Sequence, residues 1–69
     1  MARGRNTVRP EDLGQRVSFQ YELPNGYVGE AVGVFEAWDP EANTYLVRVR
    51  DGGLVRVPGL GVRSGRVIS

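Results

Sequence analysis

Residues 31 to 58, AVGVFEAWDPEANTYLVRVRDGGLVRVP, decide the fold, because they read as three consecutive strands joined by two hairpin loops. From Tyr45 to Arg50 apolar and polar residues alternate with the period of a half-buried strand, and Leu54 to Val57 repeat the pattern after Asp51-Gly52-Gly53. Placing Val49 opposite Val55 and Val47 opposite Val57 leaves residues 51 to 53 as the loop, where glycine takes positive φ without steric cost. That register sets Arg48 directly against Arg56 on the outer face, with Arg50 one diagonal step away. Like charges opposed in this way weaken a hairpin. An acidic group is therefore expected beside them, either a carboxylate of this chain or a partner's phosphate or carboxylate.

Working outward, residues 16 to 23, RVSFQYEL, alternate with Val17, Phe19, Tyr21 and Leu23 on one face and predict the first strand. Pro24-Asn25-Gly26 supplies its turn. Residues 27 to 38 are long for one strand and contain Gly29 and Gly33, so a sharp bend is expected there that covers Val32, Val34 and Phe35. A five-residue loop, 39 to 43, would pair Trp38 with Thr44 and put Trp38, Leu46 and Leu54 on the outer face as an apolar patch. The bend would instead turn Trp38 inward as the main core aromatic, and the pattern leaves both placements open. Residues 59 to 62 suit a tight or single 3₁₀ turn, and residues 66 to 68 a last short strand. Residues 10 to 14 suggest a turn or a single helical turn anchored by Leu13.

Strands spaced this closely, with Gly-containing turns and no helix of ordinary length, predict an all-β fold, a small five-stranded barrel with a short 3₁₀ turn before its last strand. At 69 residues this is one small domain, 11 to 69, preceded by a flexible basic arm, 1 to 10, that has little to bury. The chain has no cysteine and no histidine, which removes disulfides and cysteine- or histidine-based metal sites and fits a cytoplasmic location. No apolar run approaches a membrane span and no signal-peptide pattern follows the basic start. The net charge of +1 conceals a segregation: Arg3, Arg5 and Arg9 stand alone in residues 1 to 10, Arg16 faces seven acids in 11 to 47, and five arginines face Asp51 thereafter. All nine basic residues are arginine, the better bidentate partner of carboxylate and phosphate.

The stretch VGVFEAWDPEANTYLVRVRDGGLVRVP, with QRVSFQYELPNG before it and VRSGRV after it, resembles the Src-homology-3-like barrel at the N-terminus of certain actinobacterial GNAT-type acetyltransferases. The resemblance spans about residues 14 to 68. It is carried by the Leu23-Pro24-Asn25-Gly26 turn, the strand Val32-Gly33-Val34-Phe35-Glu36-Ala37-Trp38, the hairpin through Arg48-Val49-Arg50-Asp51-Gly52, and the exit Val55-Arg56-Val57-Pro58. It implies that barrel and an accessory role. The acetyltransferase domain is absent from this chain, so acetyl-CoA binding is not implied, and none of the motifs is catalytic.

Catalysis has little material: a hydroxyl nucleophile would have only carboxylates as base, and no motif gathers them. No cofactor, metal, membrane or small-molecule substrate is expected. Two binding readings follow. In the first, a protein-interaction or self-association module uses Trp38 and Leu46. In the second, a nucleic-acid binder uses Arg48, Arg50 and Arg56 as a basic stripe, with Tyr21, Tyr27 or Tyr45 for stacking and the basic arm on phosphate. The near-neutral net charge and the seven acids in residues 11 to 47 favour the protein-interaction reading. Glu22, Glu30 and Glu36 are the internal partners available to the arginines.

Overall fold

Side chains that alternate along each strand are sorted by the pleat into one buried and one exposed row. In the computed structural model, which describes residues 6–68, the buried row is Val17, Phe19 and Tyr21 on β1 (Arg16–Glu22), Ala31 and Phe35 on β2 (Val28–Asp39), Tyr45 and Val47 on β3 (Thr44–Val49), and Val57 on β4 (Leu54–Pro58). The 3₁₀ turn Gly59–Gly61 then leads into β5 (Val62–Val67), and a second 3₁₀ turn, Pro10–Asp12, precedes β1. The strands form one antiparallel sheet in the order β4-β3-β2-β1-β5. Among the described residues no ladder joins β4 to β5, so the sheet is open where a closed barrel was expected. It curls until β1 meets β4 across the core.

Each hairpin settles a register. Leu23 donates to the Tyr27 carbonyl at 2.7 Å and Gly26 to the Leu23 carbonyl at 2.9 Å, closing the Pro24-Asn25 turn with Gly26 at φ +88°. The second loop is one residue shorter than expected. Asp39 pairs with Thr44 and Trp38 with Tyr45, while Asn43 turns the corner at φ 51° and Asp39 Oδ1 accepts from the Glu41 and Ala42 amides at 3.1 and 3.3 Å. A one-residue slip exchanges the faces of a strand, and here it is absorbed by a bulge at Glu36, between Phe35 and Ala37. Trp38 therefore leaves the outer face, half-buried with its ring 4.9 Å from that of Tyr45. The third loop is two residues longer than expected: Val49 donates to Gly53 at 2.9 Å, Val47 faces Val55, and Arg48 faces Leu54. A two-residue shift preserves the faces, so the buried row stands, but the opposed pair Arg48 and Arg56 does not exist. Arg56 pairs with Leu46 instead.

The last strand is longer than residues 66 to 68. It begins at Val62 and is irregular where the β1 register shifts between Gln20 and Tyr21. Gly65 explains why its inward row was not apparent: a Cβ there would come within 2.7 Å of the Phe19 ring and 2.6 Å of Asn6 Oδ1. The missing side chain is replaced by the segment expected to be an arm. Residues 1 to 5 lie outside the described residues, but Thr7 donates to the Gly65 carbonyl from its amide at 2.8 Å, and Val8 is 4% exposed within the core. Tyr45 Oη donates to the Val8 carbonyl at 3.0 Å and accepts from Asn6 Nδ2 at 2.9 Å. Val8, not the exposed Leu13, is the apolar anchor of this end.

Removing the two outer carbons of a buried valine costs their transfer free energy plus that of the cavity, so Val8→Ala should lower stability by about 2 kcal/mol in denaturant unfolding. A change near zero would show that the segment is not part of the core. Gly33 is a second sensitive position, since a Cβ would collide with the Arg48 carbonyl oxygen of the neighbouring strand. Gly33→Ala should cost about 1–3 kcal/mol, the range for forced overpacking, and an unchanged midpoint would contradict the close approach of β2 and β3.

Candidate recognition surface

The exposed row of β2 departs from an ordinary solvated strand. Val32 and Val34 are 40% and 38% exposed, so the bend does not cover them, although Phe35 is fully buried. The reason is that alternation holds from Ala31 through Phe35 and the bulge comes only after it. In register, Val34 lies between Arg16 of β1 and Arg48 of β3, and Val32 lies beside Ser18. Arg50, just past β3, completes the frame. A groove of about 510 Å³ is lined by Arg16, Val32, Gly33, Val34, Arg48, Val49 and Arg50, with no carboxylate in its lining. It adjoins a shallower depression of about 440 Å³ that shares Val32, Val49 and Arg50 but ends on Glu30 and Asp51.

The arginines differ in what they touch. Arg48 makes a two-pronged bond to Glu36, Nε to Oε2 at 3.1 Å and Nη2 to Oε1 at 3.0 Å, and its Nη1 donates to the Gly52 carbonyl at 2.8 Å. The bulge brings Glu36 to this position, two residues along the outer row from Val34. Hydrogen bonding from the guanidinium, reinforced by its charge, holds the Glu36 carboxyl below its ordinary value, and Arg48 is held above its own by the same contacts. Arg56 lies 4.0 Å from Asp39, and Arg63 lies 3.7 Å from Glu22. Among the described residues, Arg16 and Arg50 have no carboxylate within 4.0 Å.

The five residues singled out from the sequence are thus divided. Arg48 and Arg50 share the groove, Arg56 sits two strands from β2 beside half-buried Leu46, and Trp38 belongs to the edge of the core. Of the tyrosines considered for stacking, Tyr21 and Tyr45 are buried, and Tyr27, 73% exposed, stands at the β1–β2 turn. Sequence reasoning missed Arg16, Val32 and Val34 as one surface. The alternation of residues 28 to 35 held the signal: it puts Ala31, Gly33 and Phe35 on one side and the two valines on the other.

The chain is a small all-β domain. No family model, curated protein or solved structure matches it. Among the described residues there is no group of three metal-ligating side chains, and no helix is long and apolar enough to cross a membrane.

A group with a depressed folded-state value stabilises above its unfolded value, and that contribution disappears as pH falls through the folded value. In a carboxylate-resolved NMR titration, Glu36 should therefore titrate below an ordinary glutamate and return to the ordinary value in Arg48→Gln. Any stability difference between the two proteins should be present at neutral pH and fade as Glu36 protonates. Identical Glu36 midpoints in both would contradict the pairing.

Proposed function

We propose that this chain is a non-catalytic interaction module that takes a protein segment, or a second copy of itself, on the β2–β3 outer surface. The observation that carries this reading is the pair of exposed valines framed by Arg16, Arg48 and Arg50. Apolar groups left on the surface gain by association, and arginine around such a patch supplies directional contacts at its rim. The architecture supports a Src-homology-3-like module: the strand order can be read β5-β1-β2-β3-β4, with a 3₁₀ turn between β4 and β5. That the chain has no histidine, cysteine or lysine supports a binding role over an enzymatic one and fits work in the cytoplasm. The interaction surface moves from Trp38 and Leu46 to Val32 and Val34, since Trp38 packs on Tyr45.

Selection of a random peptide library on the wild-type protein, with counter-selection on Val32→Thr/Val34→Thr, tests the reading. Threonine keeps the β-branched shape favoured in strands, so the double variant should keep its circular dichroism spectrum. Face-dependent binders, or a concentration-dependent dimer lost in the double variant, are expected. Binders that are all indifferent to the variant, with a monomer at every concentration, would overturn it.

A further inference from the structure

Resting on that reading, we infer that the occupant of the groove is an extended peptide segment in which acidic residues flank aliphatic ones. Two rows cross β2 here. One runs Arg16, Val34, Arg48 and the other Ser18, Val32, with Arg50 continuing it past the end of β3. Rows two residues apart on a strand lie about 7 Å from one another, which is also the spacing of side chains on one side of an extended peptide. The valines offer aliphatic contact and no stacking face. Arg16 and Arg50, the two groove arginines that meet no carboxylate among the described residues, lie on opposite sides of the valines. An aliphatic side chain set between carboxylates satisfies both features, and arginine receives a carboxylate through two parallel bonds.

The remaining arginine sets the limit of the site. Arg48 is already engaged by Glu36 and Gly52, so it forms a fixed wall and not a third free donor. At the far end Glu30 and Asp51 line the adjoining depression. A uniformly anionic strand such as nucleic acid, laid along both, would run its phosphates onto these carboxylates. A peptide with only a few acids meets the arginines and leaves the Glu30–Asp51 end uncharged or amine-bearing.

The test uses fluorescence anisotropy with a labelled octapeptide that alternates glutamate with valine or leucine. Comparison probes replace its glutamates with glutamine, replace its aliphatic residues with serine, or consist of oligothymidylate. The glutamate–aliphatic peptide should bind best. Its affinity should fall about tenfold in Arg16→Gln/Arg50→Gln, an effect expected of two partly solvated charge pairs, and should weaken with added salt. The affinity should also drop in Val32→Thr/Val34→Thr, with both variants retaining the wild-type circular dichroism spectrum. Equal binding of the glutamine peptide would overturn the inference, as would tighter arginine-dependent binding of oligothymidylate. If library selection returns face-dependent binders without acids, or the face closes only on a second copy, this inference fails while the interaction reading stands.

Discussion

Tyr45 is the residue on which the described structure converges. Its ring lies 4.7 Å from Phe19, 5.3 Å from Phe35 and 4.9 Å from Trp38, centroid to centroid, so one side chain joins β1, both ends of the bulge in β2, and β3. Aromatic pairs at such separations add to the stabilisation from their burial alone. The phenol oxygen then does what a phenylalanine could not, holding the Val8 carbonyl and the Asn6 amide. A sheet left open between β4 and β5 has one face to close with little chain, and the segment from Asn6 to Val8 closes part of it against Gly65. Among the described residues no buried side-chain nitrogen or oxygen is left without a hydrogen bond.

The same constraint shapes the outer face. Because Trp38 must reach Tyr45, β2 needs one extra residue against β3, and that residue is Glu36. The bulge presents its carboxylate to Arg48, which in turn grips Gly52 in the β3–β4 loop. Arg48 is therefore spent within the molecule. Arg16 and Arg50 meet no carboxylate among the described residues, and they border the valines that precede the bulge. Core and candidate recognition surface are two sides of the same strand, with Gly33, the inward residue between Val32 and Val34, placed where a Cβ would meet the Arg48 carbonyl of β3.

Much of this was legible in the residue pattern: β1 to β4, the Leu23–Gly26 turn and the 3₁₀ turn at Gly59 follow from alternation and turn chemistry. Loop lengths were not legible, because alternation fixes which face a residue takes but not how many residues a hairpin leaves unpaired. That is why Val47 and Val57 were correctly placed inward while the opposition of Arg48 and Arg56 was illusory. Trp38 was undecidable without the bulge, since a bulge at a glutamate has no compositional mark. Val8 escaped notice among arginines because a single buried residue has no period, and Gly65 hid β5 because its cover comes from another segment.

The central claim is that the groove face is spared by folding and kept for recognition, while stability resides around Tyr45. The most direct measurement is denaturant unfolding of the combined variant Arg16→Gln/Val32→Thr/Val34→Thr/Arg50→Gln, compared with wild type and with Tyr45→Phe. Exposed substitutions away from packed features have small effects, whereas loss of a buried hydroxyl that serves two partners leaves those partners unsatisfied. The account predicts a combined variant near the wild-type midpoint with an unchanged slope, and a clearly lowered midpoint for Tyr45→Phe. A combined variant that loses more stability than Tyr45→Phe would contradict it, because the face would then be part of what holds the sheet together.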